Sequence, residues 1–170
     1  MFRAEQSTSD ATPSHSVIHE AGAVRSAALA DLNALVQLEQ HFPGDRMSRQ
    51  SFRRLLRSAT AELQVYEEAG QVVANAVLLY RRSSRQARIY SLIVHPDWQG
   101  RGIAHRLLDS GARAAVERGC QALGLEVRAD NAPALRLYQK AGFQRIRQIA
   151  DYYEDHATAL RLEKSLTGSV

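Results

Sequence analysis

The stretch Val94–Leu108, VHPDWQGRGIAHRLL, joins an apolar run to a helical pattern through a proline and two glycines. Glycine loses much conformational freedom on folding, so a pair of glycines indicates that another group approaches the main chain closely. The first N–H groups of a helix have no intrahelical partner, and the helix dipole favours an anion beside them. The candidate donors to a pyrophosphate are the main-chain amides of Gly100, Arg101, Gly102, Ile103 and Ala104, with the Arg101 side chain as a nearby cation.

The glycine turn fits neither of two widespread nucleotide motifs. It lacks the G-x-x-x-x-G-K-[ST] pattern, and the third glycine of G-x-G-x-x-G would fall on His105. Two interpretations of the turn alone therefore remain open: a phosphate cradle, or a tight turn that only starts a helix.

Composition indicates one soluble domain and limits its chemistry. The chain has 170 residues, of which 45% are apolar and 24% charged, which is the balance of an ordinary globular protein. The single cysteine, Cys120, forms no intrachain disulfide, and no Cys/His cluster has zinc spacing, so we expect no metal. The chain shows no apolar run of the ~18 residues that a membrane span needs, and its first residues lack a secretion signal. We therefore expect a cytoplasmic protein without a membrane partner.

The charge distribution suits an anionic ligand or partner, or solubility alone, and it does not favour nucleic acid. The net charge is +4, and residues 1–22 hold one arginine against three acidic residues, so the excess lies in the rest of the chain. Nucleic-acid binding calls for a denser basic stripe with interleaved aromatic residues. The densest basic run, Tyr80–Arg88, is predicted to be an exposed hairpin tip, and no nucleic-acid partner is expected.

Periodicity predicts one domain over residues 23–166, between a flexible tail at 1–22 and a short tail at 167–170. The predicted order is β-α-α-β-β-β-α-β-α-β-β, an α/β (α+β) arrangement that begins with an antiparallel meander. Ser48 and Asn131 are predicted helix N-caps. The strand at 87–94 and the strand at 122–127 are joined through a helix, so they are predicted to be parallel.

Three blocks together resemble the GCN5-related N-acetyltransferase (GNAT) superfamily. The acetyl-coenzyme A signature [Q/R]-x-x-G-x-[G/A] is filled by Gln99, Gly102 and Ala104. The blocks LEVRADNAPALRLYQKAGF at 125–143 and DYYEDHATALRLEKSL at 151–166 are similar to the ribosomal-protein-alanine N-acetyltransferase branch. The resemblance covers about residues 23–166. It implies a mixed, mostly antiparallel sheet that splays between its fourth and fifth strands, with helices on both faces.

The resemblance implies an enzyme that uses acetyl-CoA to acetylate a primary amine by direct attack. It implies that Glu126 is the general base, that Tyr138 is the general acid, and that Asn131 contacts the coenzyme. His95 and His105 are weaker candidates for the base, which we assign to a turn and to a helix surface. The pantetheine arm is expected to pair with free main-chain groups in the splay. The residues implied in coenzyme binding are Leu92, Ile93, Val94, Gln99, Gly100, Arg101, Gly102, Ile103, Ala104 and Asn131.

The acceptor amine stays open at this stage. The predicted acceptor-binding residues are Phe42, Tyr152 and Tyr153, and the acidic residues of DYYED at 151–155 would attract a cationic amine. The loop HFPGDRMSRQSF at 41–52 lacks the aromatic residue that follows the proline in the ribosomal-protein enzymes. A peptide or protein amine is the first hypothesis. The alternatives are a small polyamine-like molecule and a non-catalytic acyl-CoA-binding module, and a monomer or a homodimer is equally compatible.

Overall fold

The computed structural model describes residues 21–168, so the predicted tail at 1–22 lies almost wholly outside the described residues. The elements follow the predicted order. The strands are β1 (Ala23–Ser26), β2 (Ala61–Glu68), β3 (Gln71–Tyr80), β4 (Gln86–Val94), β5 (Ala122–Arg128), β6 (Gln144–Ile149) and β7 (Ala159–Ser165). The helices are α1 (Leu32–Glu39), α2 (Arg49–Leu56), α3 (Ile103–Glu117) and α4 (Ala132–Lys140), with short 3-10 turns at Leu29–Asp31 and Pro96–Trp98.

The strands form one mixed sheet in the order β1-β2-β3-β4-β5-β7-β6. Only β4 and β5 run parallel, and every other neighbouring pair is antiparallel. The parallel pair is joined through α3, the connection that a right-handed crossover requires. The predicted topology is confirmed.

The sheet splays between β4 and β5. The two strands pair only at Gln86–Ala122, Ala87–Leu123 and Arg88–Gly124, and then separate towards their C-terminal ends. The strand β4 also shifts register against β3 near Tyr90, where an extra residue bends it. The predicted opening between the fourth and fifth strands is therefore present.

Helices cover both faces of the sheet, as predicted. On one face α1 and α2 pack on the middle strands through a cluster that includes Leu35 and Phe52, both fully buried. On the other face α3 packs through Ile103, Leu107, Leu108, Gly111 and Ala115, and the apolar side of α4 joins the same core. The buried residues of α3 form one stripe along the helix.

Both predicted N-caps are present. The Ser48 hydroxyl accepts the N–H of Ser51 at 3.1 Å, and the Asn131 Oδ1 accepts the N–H of Ala134 at 3.2 Å. Such bonds satisfy donors that a helix start leaves free. Each cap fixes the point at which the chain turns into its helix.

An ion pair ties the edge strand to the first helix. Arg25 on β1 donates both Nη groups to the carboxylate of Asp31 at 2.8 Å each, and Asp31 also accepts the N–H of Ala28 at 2.7 Å. The Arg25 guanidinium holds the pKa of the Asp31 carboxyl below its ordinary value of 3.8.

Among residues 21–168, no helix combines the length and the apolar character that crossing a bilayer requires.

Candidate active site

A cavity of about 810 Å³ occupies the splay between β4 and β5 and continues to the start of α3. Its volume falls in the range of small-molecule sites, about 300–1,000 Å³. Thirteen of the fifteen predicted site residues line it: Phe42, Leu92, Ile93, Val94, Gln99, Gly100, Gly102, Ile103, Ala104, Glu126, Asn131, Tyr138 and Tyr153. Residues as far apart in sequence as Phe42 and Tyr153 thus line the same cavity.

The start of α3 presents free main-chain donors to this cavity. Gly100 and Gly102 both have φ of +77°, a left-handed conformation that strains any residue with a Cβ. The first i→i−4 bond of the helix runs from the Arg106 N–H to the Gly102 carbonyl at 3.1 Å. The N–H groups of Ile103 and Ala104 precede that bond, so they are available to an anion in the cavity.

The edge of β4 forms one wall of the cavity. Leu92, Ile93 and Val94 pair with β3 on one side, and among residues 21–168 no strand pairs with them on the other. Gln99 donates its Nε2 to the Val94 carbonyl at 3.1 Å, which ties the glycine turn to the end of the strand. Main-chain groups on the open edge need a partner, and an extended ligand supplies one.

Tyr138 brings a protonated phenol into the same cavity. It lies on α4, and its ring packs edge-to-face against Phe143 with centroids 5.8 Å apart. Burial raises the pKa of Tyr138 from 10.0 to about 12, and nearby Tyr153 adds to the shift. The phenol therefore keeps its proton at neutral pH, as a hydrogen-bond or proton donor must.

Glu126 lies on β5 between two guanidinium groups. Its Oε2 accepts the Nε of Arg88 at 2.8 Å, and its Oε1 accepts an Nη of Arg161 at 2.5 Å. The carboxylate side chain is only 11% exposed. Each carboxylate oxygen carries a second lone-pair direction, so the group can still accept a proton from a substrate.

The predicted acceptor residues divide between the cavity and its rim. Phe42 and Tyr153 line the cavity, whereas the Tyr152 hydroxyl accepts an Nη of Arg88 at 3.2 Å and lies outside it. The rings of Tyr152 and Tyr153 meet edge-to-face, 5.0 Å between centroids. Burial raises the pKa of Tyr153 as well.

The acidic run beside these tyrosines is partly neutralised. Asp155 makes a two-pronged ion pair with Arg128, with N–O distances of 3.0 and 2.9 Å, and this pair lowers the pKa of the Asp155 carboxyl. Asp130 pairs with the same guanidinium. The expected attraction of DYYED for a cationic amine is correspondingly weaker.

Residues 31–143 match the profile of the Acetyltransferase (GNAT) family, which is more than half of the chain. The chain belongs to this family. An acetyltransferase of Sodalis glossinidius (strain morsitans), SG1711, is 36% identical over 80 residues, covering 47% of this chain and 55% of that protein. The chain spans about half the length of the curated relatives it matches.

Solved structures of GNAT proteins share the fold over most of the chain. The ribosomal-protein-S18-alanine N-acetyltransferase from Escherichia coli superposes with a TM-score of 0.78 at 25% identity, covering 88% of this chain and 97% of that one. Ard1 from Thermoplasma volcanium gives a TM-score of 0.77 at 26% identity, covering 86% and 99%. The resemblance to the GNAT superfamily inferred from the sequence motifs is thus confirmed.

Two predicted residues of this GNAT site point elsewhere. The Arg101 guanidinium lies over the Trp98 ring, 4.6 Å from its centroid, and does not line the cavity. In this conformation the Arg101 guanidinium contacts Trp98, which itself lines the cavity. Tyr152 contacts Arg88 instead of the cavity.

Sequence reasoning missed the two arginines that hold Glu126. Arg88 and Arg161 lie 38 and 35 residues from Glu126, and only the strand register brings them together. One local signal was available: Gly124 is an isolated glycine inside a strand, which often marks a close approach. A Cβ at Gly124 would lie 2.6 Å from an Nη of Arg161.

Proposed function

We propose that this protein is an acetyl-CoA-dependent N-acetyltransferase that acetylates a primary amine of a peptide or protein. The observation that carries the proposal is that Glu126 and Tyr138 line the same cavity as the N-terminus of α3. A carboxylate, a protonated phenol and an anion site in one cavity are the groups that acyl transfer from a phosphate-bearing thioester to an amine needs.

The residues of the cavity fit the coenzyme. Free N–H groups at Ile103 and Ala104, next to a glycine without a Cβ, suit the pyrophosphate. The open edge of β4 suits the amide groups of the pantetheine arm. When bound, acetyl-CoA supplies the acetyl group as a thioester, which an amine can attack directly.

Glu126 and Tyr138 have opposite tasks in proton transfer. The attacking amine must lose a proton, and Glu126 takes it, directly or through one water, along a lone pair that the arginines leave free. Tyr138 keeps its own proton at neutral pH and donates a hydrogen bond to the departing sulfur. Asn131 caps α4, and so fixes the helix that carries Tyr138.

We infer that the acceptor is a peptide or protein amine, and two observations support this choice. The E. coli neighbour at 25% identity is named for the alanine of a ribosomal protein. Phe42 and Tyr153 line this chain's cavity as the aromatic residues expected beside an entering peptide. The alternatives are a lysine side chain, a polyamine-like amine, or coenzyme binding without catalysis.

A thiol-release assay with acetyl-CoA and mixed amine acceptors tests the proposal. Wild-type protein should release CoA thiol only when an acceptor is present. Tyr138→Phe and Glu126→Gln should each lower kcat by about 10²–10⁴-fold, the usual contribution of a proton-transfer group. Calorimetric titration should show nearly unchanged acetyl-CoA affinity in both variants. Coenzyme binding without turnover on any acceptor would support the binding module instead, and normal turnover of the variants would remove these two assignments.

A further inference from the structure

A second groove, of about 550 Å³, meets the candidate active site at Glu126. It lies on the face of the sheet that carries α1 and α2, because Arg88 pairs across strands with Leu79, which packs on the core beneath those helices. Glu126 lines both spaces, the groove and the splayed cavity. An amine entering through the groove would therefore meet Glu126 beside the place proposed for the acetyl group.

The groove is positively charged. Four arginines line it against two glutamates: Arg81, Arg88, Arg147 and Arg161, with Glu126 and Glu163. Glu126 is shared by two of these arginines, so one carboxylate faces two guanidinium charges. Within residues 21–168, Arg81 and Arg147 make no ion pair.

Arg161 is a partly buried cation of the groove, and within residues 21–168 most of its guanidinium N–H groups make no hydrogen bond. The Arg161 side chain is 19% exposed, and within the described part of the chain its guanidinium makes one hydrogen bond, to Glu126. Charge pairs are stronger in such surroundings than on an open surface, because less water screens them. The spare N–H groups of a guanidinium match a carboxylate in the plane of the fork.

The strand beneath Arg161 leaves room for that guanidinium. Gly124 on β5 lacks the side chain that would displace it: a Cβ there would meet the Nη2 at 2.6 Å and the Cζ at 3.0 Å. The φ of Gly124 is not in the left-handed region, so the backbone conformation does not call for glycine here. Glycine is required at this position because a side chain would occupy the space of the Arg161 guanidinium.

We propose that this arginine groove, which comprises Arg81, Arg88, Arg147 and Arg161, selects an acceptor that carries a carboxylate close to its reacting amine. The proposal rests on the acetyltransferase function proposed above and names its substrate class. The carboxylate is that of a free amino acid, or that of Asp or Glu at the start of a peptide. A polyamine would bring further ammonium groups against uncompensated guanidinium charge, which is a repulsive contact.

Charge-matched acceptors test the selection in two arms. One arm compares peptides that begin Ala-Glu and Ala-Gln. The other compares alanine with alanine amide at one pH, and each rate is corrected for the fraction of the amine that is unprotonated. Spermidine is tested alongside as the cationic acceptor. The readout is the ratio of kcat/KM values within a pair, and the arm with the larger ratio identifies the source of the carboxylate. We expect a preference of about tenfold or more for the acidic member, equivalent to one strong ion pair.

Variants connect the preference to the groove. Arg147→Gln removes a groove cation that does not touch Glu126, and it should reduce the ratio severalfold. Arg161→Gln should reduce it further, whereas Arg161→Lys should retain most of it. Arg145→Gln is the matched control for Arg147→Gln. Arg145 lies on β6, as Arg147 does, but it lines a different cavity and donates a hydrogen bond to Gln148. Its ratio should equal that of the wild type.

The outcomes distinguish the acceptor selection proposed here from the acetyltransferase function on which it rests. The proposed selection is wrong if Ala-Gln peptides, alanine amide or spermidine have kcat/KM values equal to those of the acidic acceptors. It is also wrong if Arg147→Gln and Arg161→Gln leave the ratio unchanged. Either result would leave the proposed acetyltransferase function intact. If no acceptor in either arm is acetylated although acetyl-CoA binds, the acetyltransferase function fails and this substrate class with it.

Discussion

Tyr138 is held in its neutral form by its surroundings. Burial disfavours the phenolate, and this moves the pKa of Tyr138 to about 12. A phenol of that pKa does not ionise in the range where enzymes are usually assayed. The role proposed for Tyr138 is therefore that of a donor, and in this proposal the amine proton goes to Glu126.

The pH dependence of the phenol follows from this direction. We expect kcat to show no alkaline decline caused by Tyr138 between pH 8 and 10, because its folded pKa is about 12. The tyrosinate absorbance of the wild type and of Tyr138→Phe should be the same up to about pH 10. A difference in absorbance that develops below pH 10 would show that the phenol ionises too easily for this account.

Gly124 provides a second prediction at the residue scale. Gly124→Ala places a Cβ 2.6 Å from the mobile end of Arg161, which then swings away from Glu126. We expect kcat/KM to fall about tenfold or more for want of one charged hydrogen bond. The melting temperature should change by only a few degrees, because a flexible side chain, and not the backbone, gives way.

A double-mutant cycle controls for this explanation. In an Arg161→Ala background the added methyl group has nothing to displace, so Gly124→Ala should have no further effect on kcat/KM. Additive losses would show that Gly124 acts through something other than Arg161.

The two candidate proton-transfer residues came from the family resemblance, whereas their charged neighbours carried no comparable signal. Glu126 and Tyr138 lie within the block that resembles the GNAT family, and both line the same cavity. The contacts of Arg88 and Arg161 with Glu126 depend on the register of three strands, and a single sequence does not specify that register well. The direction of the Tyr152 side chain has no local signal for a related reason: its hydroxyl contacts Arg88, which lies on a distant strand.

At the scale of elements, the start of α3 is the feature on which the proposed coenzyme binding depends. Gly102 has φ of +77° and no atom within 4 Å of an added Cβ, so alanine there meets backbone strain and not a clash. The strain, about 1 kcal/mol, would turn the first N–H groups away from the cavity. Gly102→Ala should weaken acetyl-CoA binding about tenfold in a calorimetric titration.

Gly119, just beyond the other end of α3, supplies the matched control. Its φ is +78° and an added Cβ there also meets nothing within 4 Å. Gly119→Ala should therefore lose similar stability and keep the wild-type affinity for acetyl-CoA. Equal loss of affinity in both variants would mean that strain in the helix, and not its N-terminal donors, governs binding.

The link between β1 and the first helical turn has its own pH signature. Asp31→Asn loses the two-pronged contact with Arg25, and we expect the free energy of unfolding at pH 7 to fall by about 1–3 kcal/mol. The folded pKa of Asp31 lies below 3.8, so its stabilising effect is complete well above that pH and disappears on acidification. The difference between the two proteins in urea unfolding should shrink as the pH falls below about 4, and a difference that stays constant on acidification would contradict the assignment.

Element order and type are predictable here because each signal is local. The caps at Ser48 and Asn131, the buried stripe of α3, and the crossover between β4 and β5 all follow from spacing within a few residues. The extra residue near Tyr90 in β4 has no such signal. It results from how β4 pairs with β3 as the sheet opens, which is a property of the assembled sheet.

The whole molecule positions two spaces around one carboxylate. The parallel pair of strands is held together for three residue pairs and then opens, and the cavity and the arginine groove meet at Glu126 on the open part of β5. In the proposed function, acetyl-CoA would occupy the cavity and the acceptor amine would approach through the groove, so the two substrates would come from different sides. It also makes the splay the feature on which the proposed function depends.

A crystal structure of the protein with CoA tests that dependence most directly. We predict the pyrophosphate within hydrogen-bond distance of the N–H groups of Ile103 and Ala104, the pantetheine arm along the open edge of β4, and the sulfur near the Tyr138 hydroxyl. A coenzyme bound outside the splay, or one that leaves the start of α3 without an anion, would contradict the account.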